Sequence, residues 1–309
     1  MKKTNGLLFV LLMVSIGFSA FFAGGLNAQA AGNGEVIGSP KLAVLVDARK
    51  VKFQGGDPFM EDNRVQVPLR GIGEALEAKI SFSGKTVTYE KSGKSIKLTL
   101  GSKAATVDGK SVTMDTVAKA LNGRTYVPLR FVSENLGEKV EWDKVGQWVW
   151  IGSKDVPTLE EAGIKPQSID KFKTMIGSAY SDMYEDMDNA YVLTEDQLPI
   201  NLGRQTLYDL WQVKQDNNYG LQARYVINGG YPPIYYLTEG KSGARLRFDV
   251  QGMRKKQDDG TAKVVYRITS RSDRDMIGDK NYDQFTLNQA DYIAFSTSTG
   301  KSLVILKLK

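Results

Sequence analysis

Two stretches decide how this chain is read. The first is Arg64-Val-Gln-Val-Pro68-Leu-Arg70-Gly-Ile-Gly-Glu74-Ala-Leu76-Glu-Ala-Lys-Ile80-Ser-Phe82. The second is Arg124-Thr-Tyr-Val-Pro128-Leu-Arg130-Phe-Val-Ser-Glu134-Asn-Leu136-Gly-Glu-Lys-Val140-Glu-Trp142. The offset is 60 residues throughout, and self-similarity at a fixed period is the mark of a structural unit written twice. Each stretch opens extended. Pro68 and Pro128 keep the preceding residue out of the helical region and suit a helix start. Helices are predicted over 69–76 and 129–136, with Leu69, Ile72 and Leu76, or Leu129, Val132 and Leu136, on one face. Gly137 suits the end of the second helix, and Glu77 stands at the matching place in the first. Arg70–Glu74 and Arg130–Glu134 have the i, i+4 spacing of helical ion pairs, an ordinary scaffold feature.

Working outward, Val46-Asp47-Ala48-Arg49-Lys50-Val51 answers Val107-Asp108-Gly109-Lys110-Ser111-Val112 at an offset of 61. Asp108-Gly109 is a hairpin signal, because glycine supplies a positive φ without steric cost. Strands are predicted over 44–47 and 104–108, with return strands over 51–53 and 111–114. Further strands are predicted over 79–82, 86–90, 139–142 and 147–151, with 95–100 bridging the copies. The copies occupy about 42–100 and 101–152, within a domain covering 40–153.

These residues resemble the copper amine oxidase N-terminal domain, also called the stalk domain. The resemblance rests on Arg124 to Gly137 preceded by Val-Asp-Gly and followed by Val140-Glu-Trp142-Asp, and on the weaker first copy, which departs at Gly71, Gly73 and Glu77. Arg64, Pro68, Arg70, Glu74, Arg124, Pro128, Arg130, Glu134 and Trp142 carry the repeated motif. The resemblance implies an α+β module lying outside any catalytic domain and holding neither copper nor the quinone. Asn281-Tyr282-Asp283 matches the tripeptide from which amine oxidases make their quinone. Gly278 stands where the fuller motif has Thr, so the tripeptide is read as chance.

Composition narrows the chemistry. The 309 residues contain no histidine and no cysteine. That removes a Ser-His-Asp triad, a thiol nucleophile and the usual zinc or copper ligand sets. The expectation is a non-enzymatic protein with no cofactor and no metal. A carboxylate-dependent hydrolase acting on wall polysaccharide is the alternative, since it needs only two facing acids.

At the N-terminus, Lys2 and Lys3 precede an apolar run from Leu7 to Ala23, followed by Asn27-Ala28-Gln29-Ala30-Ala31. Residues 1–30 read as a secretory signal peptide, with an uncleaved anchor as the competing reading. Gly17, Ser19 and the glycines at 24 and 25 interrupt the run. The expected location is extracellular or cell-wall associated, and the lack of cysteine in an exported chain fits a Gram-positive source. Residues 31–154 hold 19 basic and 14 acidic residues, a net of +5, whereas 155–309 hold 20 and 21, a net of −1. A mildly cationic first half suits an anionic wall polymer or an envelope protein. No nucleic-acid partner is expected, nor a membrane once the signal is removed.

Residues 154–309 resemble no family. A helix is predicted over 168–190, with Ser168 as its N-cap, and a separate domain of helices on an antiparallel sheet is expected. Arg245–Val250 reads as a strand with Leu246, Phe248 and Val250 on one face. The Asp259-Gly260 turn is expected to close a hairpin onto residues 263–269. Asp182, Glu185, Asp186 and Asp188 read as a solvated acidic face, and Arg271, Asp273, Arg274, Asp275 and Asp279 as solvated surface. Tyr231, Tyr235 and Tyr236, beside Gly229-Gly230 and Pro232-Pro233, are the candidate partner or glycan surface if exposed.

Overall fold

The computed structural model describes residues 35–36, 40–215, 218–227, 229–299 and 301–309. The reading of residues 1–30 as a signal peptide lies outside them. Among the described residues no helix is long and apolar enough to cross a membrane. The fold is α+β, with short helices and five sheets.

The two decisive stretches form the centre of the first half. Strand Arg64–Pro68 leads into α1 (Leu69–Ala75), and strand Arg124–Pro128 leads into α2 (Leu129–Asn135). Each proline ends its strand and caps its helix with an extended ψ of 124° or 108°. The strands pair antiparallel with Val67 opposite Val127 and with Pro68 and Pro128 opposite Tyr126 and Gln66. Because Val67 and Val127 are equivalent positions, a local two-fold axis passes between them. Phe59–Glu61 and Lys119–Leu121 extend the sheet on its two outer edges in matching register. Leu69, Ile72, Leu76, Leu129, Val132 and Leu136 all enter one buried core. Gly137 leaves its helix at φ 99° and Glu77 at φ 55°, so the glutamate adopts the left-handed geometry that glycine takes more easily. Gly71 has its own reason: a Cβ there would lie 2.5 Å from the Phe53 ring, which packs against that turn.

The outer hairpins are exchanged between the two stretches. Strand Ala43–Val46, from the start of the first, lies parallel to Trp148–Ile151, from the end of the second. Ala104–Val107, from the start of the second, pairs with Lys94–Thr99 and so joins the sheet that holds Thr86–Lys91 and Lys79–Ser83. The ranges 42–100 and 101–152 are therefore interlocked rather than two bodies in succession. The predicted return strand over 51–53 is shorter and earlier, at Arg49–Lys50, with the Val51 N–H donating to the Val44 carbonyl.

The second half is a sandwich of two six-stranded sheets, one of which takes Glu35–Val36, from the start of the chain, as an edge strand against Val213 and Lys214. Leu207, Leu221, Tyr225 and Val264 from one sheet meet Tyr236, Ile293, Phe295 and Leu306 from the other. α3 (Asp170–Ile176) covers the far face of the second sheet, where Tyr235, Leu237, Ala294 and Ile305 receive it. That sheet is buried on both faces, which is why Leu303 to Leu306 are all apolar.

Several expectations are corrected. The helix predicted over 168–190 ends at Gly177, where φ is 78°, and the chain becomes strand at Asn189–Thr194. That strand runs parallel to Ser302–Lys307, so the sheet is not wholly antiparallel. Only Arg245–Arg247 of the 245–250 run is strand, and Phe248 is 66% exposed. The cause lies in the arginines. Arg247 is buried on Asp273, with Nη1 and Nη2 donating at 2.7 and 2.6 Å, and Arg245 bridges Asp273 and Asp279. Asp273, on α4 (Ser272–Ile277), is thus a buried counter-charge and not solvated surface. The Asp259-Gly260 turn closes Lys255–Lys256 onto Ala262–Arg267.

Candidate functional site

The described residues from 35 onward pack as one unit, and the seam between the two halves also buries charged groups, Arg224 and Asp209 among them. Strand Gln205–Gln215 builds its far side. Leu207 and Leu210 both face the sandwich core although they are three residues apart. A bulge between Leu207 and Asp209 absorbs the extra residue and turns both Tyr208 and Asp209 onto the first half. Tyr208 stacks on Trp148 at 6.3 Å and 25°.

Two cations cross the seam. Arg224 donates to Asp143 at 2.6 Å, to Asp259 at 2.6 Å and to the Thr261 hydroxyl at 3.1 Å. Its guanidinium also lies over the rings of Tyr208 and Trp148, at 4.9 and 5.6 Å. Lys50 donates to the Glu195 carbonyl at 3.1 Å and stands 3.9 Å from the Asp209 carboxylate, with its ammonium 4.8 Å over Trp148. Burial lowers the Lys50 pKa, against the pull of Asp209. Burial raises Asp209 to about 6, although Lys50 opposes the shift. Nearby, burial would raise Asp196, but hydrogen bonds from Lys52 and Thr194 outweigh it and hold that carboxyl below its usual range.

Beside Lys50 and Asp209 the seam opens into a cleft of about 820 Å³. Ligand sites commonly measure about 300–1,000 Å³. Both halves line it: Leu42, Val44 and Phe53 from the first, and Leu210, Leu221 and Leu306 from the second. The cleft combines an aliphatic floor, a buried Lys–Asp pair and exposed charges at its mouth.

The residues singled out from sequence lie elsewhere. Pro68 and Pro128 are buried in the central sheet. Arg64 pairs with Asp115, and Arg124 donates to the Gln54 carbonyl at 3.3 Å. Arg130 and Glu134 approach to 3.7 Å on the exposed face of α2, whereas among the described residues no ion pair joins Arg70 to Glu74. Trp142 is 37% exposed on an edge strand.

Tyr235 and Tyr236 do not form an exposed glycan surface. They point to opposite faces of a doubly covered strand and are buried, and Tyr231 is half-buried against Tyr225 under Arg254. Asp182, Glu185, Asp186 and Asp188 are exposed, and among the described residues no cluster of acids could hold a metal ion. Asn281-Tyr282-Asp283 forms the edge of a short helical turn.

Sequence reasoning missed Lys50, Asp209 and Arg224. A signal existed for one of them: Leu207-Tyr-Asp209-Leu-Trp211 breaks the strict alternation of a strand at a charged residue, as a bulge does.

No curated protein matches the chain. Residues 45–151, a span that takes in both decisive stretches and the Trp148–Ile151 wall of the seam, match the family model of the copper amine oxidase N-terminal domain, a family found in copper amine oxidases and related stalk domains.

Proposed function

We propose that this is an exported, non-enzymatic envelope or wall-associated protein, in which a duplicated stalk module is fused to a binding domain and supplies one wall of its binding cleft. The observation that carries the reading is the seam itself. Arg224 and Lys50 tie the halves together through buried contacts, and a ligand-sized cleft opens beside them. A module that served only as a spacer would have no need of buried ion pairs to its neighbour, since buried charges cost several kcal/mol each to desolvate. The export signal and the +5 charge of residues 31–154 support a place at an anionic wall. The test is sedimentation of the mature protein with purified wall at rising salt. Binding should fall steeply between low and physiological ionic strength. Absence of wall binding at low salt would refute wall association.

A second reading, the carboxylate-dependent hydrolase, is favoured by one observation. Asp209 is raised to about 6 and Asp196 lowered, and both line the cleft. Carboxyls pushed apart in this way serve acid and base roles in hydrolases. Against it, each is engaged by a lysine, and Asp209 is only 4% exposed. Release of reducing ends from wall polysaccharide, lost in Asp209→Asn, would establish this reading over the first.

A further inference from the structure

We propose that the seam cleft takes the aliphatic chain of an amphiphile, with its anionic head group among the lysines at the mouth. This deepens the binding reading above and rests on it only in placing the ligand at the seam.

The floor sets the chain. Leu42, Leu287 and Leu308 are half-buried at its surface and rest on the buried Leu210 and Leu221 from one sheet of the sandwich and Leu306 from the other. The cleft thus opens onto the end of the interior between two sheets, closed at the side by the first half. Leucine methyls offer dispersion contact to a flexible hydrocarbon but not the flat face on which a sugar ring stacks, and the half-buried Phe53 ring lies against the Gly71 turn. Trp211 also lines the cleft, but its ring packs with Val213 and Val265 and carries the Lys263 ammonium 5.2 Å over it, so it is not presented as a platform. Its Nε1–H has no acceptor in the protein.

The mouth sets the head group. Exposed lysines at 41, 52, 307 and 309 and exposed acids at 57 and 195 line it together. Lys52 is engaged by Asp196 and Lys309 by Asp291. Lys41 and Lys307 pair with no carboxylate among the described residues. Two uncommitted ammonium groups over an aliphatic slot complement a carboxylate or phosphate carried on a hydrocarbon tail.

The experiment uses the full mature chain and monomeric dodecanoate and dodecyltrimethylammonium, titrated calorimetrically below their micelle concentrations. Dodecanoate should bind about tenfold more tightly than the cation, since two exposed lysines contribute a few-fold each. Lys41→Glu with Lys307→Glu should abolish that preference and leave the melting temperature unchanged. Leu308→Trp, at a half-buried position, should block both amphiphiles, with Leu287→Trp as the second variant if the first does not fold.

A free fatty acid and a membrane lipid share this chemistry. Sedimentation with phosphatidylglycerol vesicles, competed by dodecanoate, identifies the lipid source, and binding of monomer alone identifies the free acid. Equal affinity for the two amphiphiles, or binding of neither, overturns the proposal. Dodecanoate failing while a mixed-charge hexapeptide pool binds and is blocked by Leu308→Trp would make the cleft a peptide site and also overturn it, while leaving the binding reading intact. Wall sedimentation is read separately and fails or succeeds independently.

Discussion

Arg224→Ala should destabilise the whole chain by about 4 kcal/mol, chiefly because it strands a buried carboxylate in the other half of the molecule. Arg224 is 2% exposed and its strongest partner, the Asp143 side chain, is 8% exposed. Breaking a buried pair from one side costs about 3–5 kcal/mol, most of it the desolvated charge left behind. Asp143 retains the N–H groups of Val145 and Gly146 on its other oxygen, at 2.9 and 3.0 Å, which places the expected loss at the lower end. Asp259 is nearly a third exposed and adds little. Loss of the cation over Tyr208 and Trp148 adds about 1 kcal/mol more. The assay is guanidinium denaturation of the full mature chain, followed by tryptophan fluorescence. Asp143→Asn in the Arg224→Ala background should recover more than half of the loss, since the charge that suffered is then gone. Arg130→Ala, which breaks an exposed pair, is the control and should cost under about 0.5 kcal/mol. A loss below about 1 kcal/mol for Arg224→Ala, or no recovery with Asp143→Asn, would refute the seam as a buried electrostatic anchor.

Three further outcomes are expected. The proton on Asp209 is held in the folded state to about pH 6 against an ordinary 3.8, so it favours folding fully below 3.8 and progressively less as pH rises to about 6. That window is worth about 3 kcal/mol, and Asp209→Asn should remove the slope from unfolding midpoints measured between pH 4 and 7. Glu77→Gly should raise stability by about 1 kcal/mol by relieving the left-handed residue after α1, read as a higher denaturation midpoint; no gain would show that the glutamate is held there by something other than backbone geometry. Residues 101–152 produced alone should show no cooperative melting by circular dichroism, because strand Trp148–Ile151 loses Ala43–Val46 and strand Ala104–Val107 loses Lys94–Thr99.

The strand, proline and helix of each 60-residue stretch were readable because local rules agree there: alternation, a proline stop, and apolar spacing of three and four. Pairing was not readable. That Ala43–Val46 would join Trp148–Ile151, about a hundred residues on, follows from packing and from no local preference. The helix predicted over 168–190 failed for a related reason. Met183 and Met187 continue the apolar spacing, yet Gly177 releases the helix and the sheet captures residues 189–194 on both faces. The arginines at 245 and 247 were misplaced because a sequence does not display a buried counter-charge. Asp273 draws them inward, and the apolar Phe248 is left outside. At the seam, only the broken alternation around Asp209 gave local notice. Lys50 and Arg224 become unusual through what they touch.

The exchanged hairpins carry a consequence for how such a chain can change over generations. Each 60-residue stretch completes the other's sheets, so deletion of either would expose the edge strands of both. A single added stretch would likewise arrive with no reciprocal partner. Growth or loss of this module is therefore expected in pairs, and the heritable unit is the interlocked couple.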